Sequence, residues 1–252
     1  MPAVRLTPAE LRRALAADGT SLQYQAQVHV PSRSLAGVEA FVRWPHPAFG
    51  MIGPSEIVAL VEEGGLHAEF DAWVVGAACA QAQRWRAEGV PLPLVSVNVW
   101  AQTMRQGQLA PAVTAALQAS GVPPAMLEIE TPRGAAADAE LATVLELLRR
   151  LGVRIESEAR APEDLPSIPV DTVKIPARAV AEIEDGDRRA SIGRLAATCR
   201  DRGVRVVAEG VETAAQRDAL LAVGCEIVQG YLYGPEVSAA EVSALARTGD
   251  GR

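Results

Sequence analysis

Aromatic residues are scarce in this chain: four Trp, three Tyr and three Phe make up 4% of 252 residues. Any sizeable core must therefore be filled by Ala, Val and Leu. Cysteine is scarcer still. Cys79, Cys199 and Cys225 are odd in number, widely spaced and set among apolar neighbours, which reads as buried thiols in a reducing compartment. No C-x-x-C pair or Cys/His cluster suggests zinc. The three histidines, His29, His46 and His67, are scattered and give little support to a His-based catalytic pair. The N-terminal Met-Pro-Ala-Val-Arg-Leu lacks an apolar signal core, and no apolar run reaches membrane-spanning length. A soluble, cytoplasmic protein without membrane contact is expected. Basic residues are outnumbered, 24 Lys and Arg against 31 Asp and Glu, for a net charge of −7. That argues against a nucleic-acid polymer as partner, because such a surface needs a basic face. An anionic ligand requires a local cluster of Arg and Lys.

What is present is a regular alternation of strands and helices, in a chain that is 49% hydrophobic. Residues 22–30 alternate, turn at Pro-Ser-Arg-Ser, and with residues 36–44 predict an antiparallel hairpin. Further strands are expected at 94–97, 126–129, 153–157, 172–175, 204–208 and 226–228. Helices are expected at 7–17, 54–63, 68–88, 110–119, 139–151, 191–202, 214–223 and 239–247. Eight strands linked this way predict an α/β fold, a TIM-type (β/α)8 barrel modified by one antiparallel strand. The rival is an open doubly wound sheet, weakened by the lack of G-x-G-x-x-G at a strand–helix turn. No linker divides the chain, so residues 1–252 are read as one domain with a core of about 11–242.

The charged residues sit at telling places. In the strand 36–44, Glu39 and Arg43 share a face with Phe41 between them. Charges on an apolar strand are costly unless they meet a metal, an anion or each other. A Glu39–Arg43 ion pair at the barrel mouth is one reading. In such barrels the chemistry lies where strands end, and those positions hold Asn98, Glu130, Glu158, Glu209 and Gln229, with Lys174 inside its strand. Oxygen donors suit Mg²⁺, Mn²⁺ or Ca²⁺, and Arg and Lys suit phosphates. The set suggests a metal-assisted phosphate site; taken singly, each residue also reads as a solvated loop polar group.

The segments Val38-Glu39-Ala40-Phe41-Val42-Arg43-Trp44, Val97-Asn98-Val99, Leu127-Glu128-Ile129-Glu130, Val173-Lys174-Ile175, Ala208-Glu209-Gly210-Val211-Glu212-Thr213 and Gln229-Gly230-Tyr231-Leu232-Tyr233-Gly234-Pro235 resemble the EAL domain. The resemblance runs from about Leu11 to Val242, in order. It implies a bacterial signalling barrel that hydrolyses cyclic di-GMP to pGpG with two Mg²⁺ or Mn²⁺ ions. It further implies that Glu39, Asn98 and Glu130 ligate one ion, that Lys174 helps hold the attacking water, and that Glu209 and Gln229 serve the second ion. Arg43 would contact a ligand phosphate and Gln25 a guanine.

The resemblance also marks departures. Two adjacent Asp residues of the family fall at Glu158 and Ala159, and the Gly-rich loop that follows them there is missing. The usual Thr and Glu after Glu130 are Pro132 and Arg133, and Pro176 stands where an Asp would follow Lys174-Ile175. Glu158 is one methylene longer than Asp and Ala159 offers no oxygen, whereas two-metal hydrolysis needs ions about 3.5–4 Å apart. The expectation is a degenerate, stand-alone EAL domain. One site would accept Mg²⁺ or Mn²⁺, with Glu158 a displaced metal ligand, and the second metal would be lost. The chain would then be a cyclic di-GMP receptor; a nucleotide-independent regulator bound to an unidentified protein, or a slow phosphodiesterase, are the alternatives. The lost loop supports the dimer in the family, so the oligomeric state is left open.

Overall fold

The computed structural model describes residues 5–17, 19–131 and 138–249. Helix α1 (Pro8–Ala16) leads into a long hairpin, β1 (Ser21–His29) and β2 (Ser34–His46), extended by β3 (Gly50–Ile52). Helices α2 (Pro54–Gly64) and α3 (His67–Ala87) follow. Next come β4 (Val95–Asn98), α4 (Ala101–Arg105), α5 (Leu109–Ser120), β5 (Leu127–Glu130), α6 (Ala139–Arg150) and β6 (Arg154–Glu158). The last part holds β7 (Thr172–Ile175), α7 (Ala177–Ala181), α8 (Gly186–Asp201), β8 (Arg205–Ala208), α9 (Ala214–Ala222), β9 (Ile227–Val228) and α10 (Ala239–Thr248).

The sheet order β1-β9-β8-β7-β6-β5-β4-β2 closes through a β1–β2 pairing, giving an eight-stranded barrel. β1 runs antiparallel to both β2 and β9, and the other neighbours in the ring are parallel. The expected modified barrel is therefore present. β3, antiparallel to β2 beyond the barrel, is an addition that three residues were too few to signal. The same holds for the five-residue helices α4 and α7. Helix α8 starts five residues earlier than its apolar spacing suggests, because Asp185 caps it by accepting the Arg188 N–H.

The apolar core lies between strands and helices. Val95, Val97, Leu127, Ile129, Ile155 and Val173 are each at most 1% exposed, and burying one such side chain is worth about 1.5–3 kcal/mol. Cys79, Cys199 and Cys225 are buried free thiols. Among the described residues, no helix is long and apolar enough to cross a membrane.

Alternate residues of the same strands point into the barrel, and there the filling is polar. Arg205 donates to Glu128 Oε2 at 2.9 Å, Thr172 Oγ1 at 3.1 Å, the Ala36 carbonyl at 3.0 Å and Gln27 Oε1 at 3.2 Å. Thr172 donates to the other oxygen of Glu128 at 2.5 Å. A buried pair is tolerated when its remaining hydrogen-bond capacity is met in this way. This plug supports the layer above it, which carries the functional residues.

Two glycines hold the strand ends of that upper layer together. A Cβ at Gly210 would overlap Ala177, and one at Gly230 would overlap the backbone of Val211. Both have positive φ, +74° and +154°. These contacts seat Glu209 and Gln229 side by side. Gly230→Ala is expected to destabilise the protein by roughly 2–4 kcal/mol from overpacking and backbone strain. Urea unfolding measures this, and a loss below about 1 kcal/mol would mean the close approach is not required.

Candidate functional site

Four strands deliver one ionic cluster. Glu39 on β2, Glu130 on β5 and Glu156 on β6 surround the amine of Lys174 on β7. The Nζ atom lies 3.0 Å from Glu39 Oε2, 2.6 Å from Glu130 Oε2 and 2.8 Å from Glu156 Oε1. Glu39 accepts two further bonds, from Asn98 Nδ2 at 2.6 Å and Gln229 Nε2 at 2.7 Å. Gln229 Nε2 also reaches Gln25 Oε1 at 2.9 Å, and Gln25 lies opposite Glu39 in the β1–β2 register. Parallel register explains the assembly: Asn98 pairs with Glu130, Glu130 with Glu156, and Glu158 with Lys174 across successive strands.

The charges are not independent. Burial alone would raise the Glu39 carboxyl, but Lys174, Gln229 and Asn98 together hold it below its ordinary value. Burial would lower Lys174, and Glu156, Glu39 and Glu130 overcome this, so the amine stays protonated well beyond its usual range. Glu130 is raised well above its ordinary value, first by burial and then by Glu39 and Glu156. Glu156 is pushed up to about 7, chiefly by burial. Glu209 is raised too, again by burial first. A fixed Lys174⁺–Glu39⁻ pair thus sits among carboxyls that hold protons or attract a cation.

Glu156 was not singled out in the sequence, where attention falls on strand ends. It is 0% exposed, and among the described residues its oxygens have no partner besides the ionic contact with Lys174. The signal lay in the spacing of Arg154, Glu156 and Glu158, three charges on one strand face. The Arg205–Glu128 pair was missed for a different cause, since 77 residues separate its members.

The remaining candidates lie around the cluster. Glu158 sits at its edge, where Oε1 pairs with Arg178 of α7 at 2.9 Å. Ala159 is buried in an apolar cluster with Val173, Ile175 and Ala208. Arg43 does not pair with Glu39. Its guanidinium lies 3.4 Å from Glu236 Oε1, donates to the Val42 carbonyl at 3.0 Å, and stands over the Phe41 ring at 5.9 Å. The pairing of Glu39 with Arg43 is replaced by Glu39–Lys174 because closure of the barrel brings β7 opposite β2. Pro132 and Arg133 lie outside the described residues.

A cavity of about 450 Å³ opens beside Glu39, Asn98, Glu130 and Glu209, with Phe41 and Trp100 in its wall. That volume suits a small organic ligand. Among the described residues, no three acidic, His or Cys side chains are arranged around a common point for a metal ion. The donor chemistry still matches a hard cation, since Glu39, Asn98 and Glu130 present oxygens from neighbouring strand ends.

Comparison with known proteins agrees with this geometry. The EAL domain profile matches residues 9–236. MucR of Pseudomonas aeruginosa, a bifunctional diguanylate cyclase/cyclic di-GMP phosphodiesterase, is 33% identical over 244 residues, covering 93% of this chain and 36% of MucR. The cyclic di-GMP phosphodiesterase NbdA of the same organism is 31% identical over 246 residues, covering 94% of this chain and 31% of NbdA. The chain therefore spans about a third of the length of these curated relatives. The solved PaMucR phosphodiesterase, a c-di-GMP complex, superposes with a TM-score of 0.83 at 32% identity, over 93% of this chain and 98% of that one. Sequence, barrel topology and cluster converge, and the chain belongs to the EAL domain family.

Proposed function

We propose that this EAL domain binds cyclic di-GMP at the open end of its barrel and hydrolyses it at no appreciable rate. The observation that carries the reading is the grip of three carboxylates on Lys174 beside a position, Ala159, that supplies no oxygen. Cyclic di-GMP is the ligand named for the relatives at 31–33% identity. In this reading Arg43 meets a ligand phosphate, Gln25 and Gln229 orient the nucleotide, and Phe41 and Trp100 exclude water. Displacing Glu236 from Arg43 frees the guanidinium for that contact.

Glu39, Asn98 and Glu130 fit one Mg²⁺ or Mn²⁺ ion, which when bound would neutralise phosphate charge. A second ion is not fitted, since Glu158 is engaged by Arg178 and Ala159 has no donor. Glu39 remains as a carboxylate and Lys174 as a cation, while burial raises Glu209. The Lys174 amine is held by Glu39, Glu130 and Glu156. A misplacement near 1 Å costs roughly 100-fold in rate.

Calorimetry with cyclic di-GMP is expected to show binding at micromolar ligand, weakened by about tenfold or more in Arg43→Ala. With Mn²⁺, pGpG release is expected at least roughly 100-fold below that of the MucR EAL domain assayed alongside. Absence of heat at tens of micromolar would reject binding. Turnover matching MucR, abolished by Glu39→Ala, would reject the loss of catalysis.

A further inference from the structure

Another cavity opens at the opposite end of the barrel. It has a volume of about 650 Å³ and lies at the start of strands β6, β7 and β8. Parallel neighbours are usually joined by a helix, but β6 and β7 are joined by residues 159–171 with only a 3₁₀ turn at Pro162–Asp164. The missing helix leaves a gap between α6 and α8, and the gap is the cavity. We propose that it is a second ligand site, for a small phosphate-bearing compound with an apolar portion.

Four arginines line it, Arg149, Arg154, Arg202 and Arg205, with Asp171 the one carboxylate among them. Arg205 is the floor, and its donors are spent on Glu128, Gln27, Thr172 and Ala36. The other three are not so used. Among the described residues the buried Arg149 Nε–H has no hydrogen-bond partner, and it lies 3.8 Å from Asp171 Oδ2. Asp171 Oδ2 is itself occupied by the Ile155 N–H at 2.9 Å. Arg154 and Arg202 have no ion pair or side-chain hydrogen bond among the described residues. In a chain of net charge −7, three underused guanidiniums around one concavity are an anomaly of position.

Arginines at helix C-termini have an ordinary explanation, the favourable end of the helix dipole. It covers Arg149 in the last turn of α6 and Arg202 at the end of α8. It does not cover Arg154, which begins a strand. The helix-end carbonyls are also partly satisfied, with Leu148 accepting the Val153 N–H at 3.2 Å and Cys199 the Val204 N–H at 2.9 Å. The exposed lining is therefore cationic. Guanidinium groups match phosphate oxygens in pairs, and Leu165, Ile168 and Val170 offer an apolar wall. The volume lies within the ~300–1,000 Å³ usual for small-ligand pockets.

The test is calorimetry of the whole chain in chelator-containing buffer, with AMP, inorganic pyrophosphate and adenosine as probes. AMP and pyrophosphate are expected to bind and adenosine not to. Arg154→Ala and Arg202→Ala, made separately, are each expected to weaken AMP by about tenfold or more, with cyclic di-GMP binding unchanged. Among the described residues neither side chain makes an ion pair or a side-chain hydrogen bond, so neither variant threatens folding. The proposal falls if neither phosphate probe binds at millimolar concentration, if adenosine binds as well as AMP, or if both variants bind AMP as the parent does. A failure of cyclic di-GMP binding leaves this result unaffected, because the two sites occupy opposite ends of the barrel.

Discussion

Lys174→Met is expected to lower the melting temperature by on the order of 10 °C at pH 8 and by much less at pH 5. Methionine keeps most of the volume, so packing is nearly conserved. What is lost is the cation that, among the described residues, Glu39, Glu130 and Glu156 share; these are 4% exposed, half-buried and 0% exposed. Removing one member of a buried ion pair typically costs about 3–5 kcal/mol, because the remaining charge has no partner. For a domain of this size 1 kcal/mol corresponds to roughly 2–4 °C. The sign of the pH effect follows from the shifts. Lys174 is raised above its ordinary value, so its stabilisation is complete at pH 8 and fades only as pH rises through its folded value. In the variant the carboxyls take protons instead, so the deficit shrinks as pH falls. Mn²⁺ is expected to raise the melting temperature of the variant more than that of the parent, since it restores positive charge to the cluster. A melting temperature within 2 °C of the parent at pH 8, about the effect of 1 kcal/mol or less, would show that the amine does not hold the cluster together.

Glu156→Gln tests the opposite member and is expected to stabilise the protein above pH 7. The carboxyl is wholly buried and raised from 4.5 to about 7, first by burial and then by Glu128 and Glu39 against the pull of Lys174. A raised carboxyl contributes stability below its unfolded value and loses it as pH climbs through the folded one. The window is therefore about pH 4.5 to 7. At about 1.4 kcal/mol per unit, the stability lost across it is on the order of 3 kcal/mol. Glutamine resembles the protonated acid in shape and cannot ionise. The two proteins should match near pH 5 and diverge toward pH 8, where the variant is the more stable. Urea unfolding in metal-free buffer across that range reads the difference. Parallel curves, with no divergence above pH 7, would mean that Glu156 does not ionise at the expense of the fold.

The parts of the site that were legible in the sequence are those at strand ends. Glu39, Asn98, Glu130, Glu209 and Gln229 each close a short apolar run or interrupt one, and barrel logic places such residues at one mouth. Glu156 was hidden because it lies within its strand, one register step from the more conspicuous Glu158. The polar plug of Arg205, Glu128 and Thr172 was hidden more deeply. Its members look like routine polar residues of three separate strands. The partner of Arg43 was unreadable as well, because Glu236 lies 193 positions away in a loop.

Alternation of apolar and polar residues, the glycines that end helices and the order of elements were sufficient to indicate eight strands with one reversed member and to favour their closure over an open sheet. They were sufficient because side-chain direction in a strand repeats every two residues, and connection lengths restrict which strands can be neighbours. Which charges meet was decided only by the closed barrel. Glu39, Glu130, Glu156 and Lys174 come from four strands, and Coulombic and hydrogen-bond energies depend on separations of about 3 Å that no sequence interval encodes. The same closure, with only a 3₁₀ turn in the connection between β6 and β7, left three arginines facing one cavity at the other end.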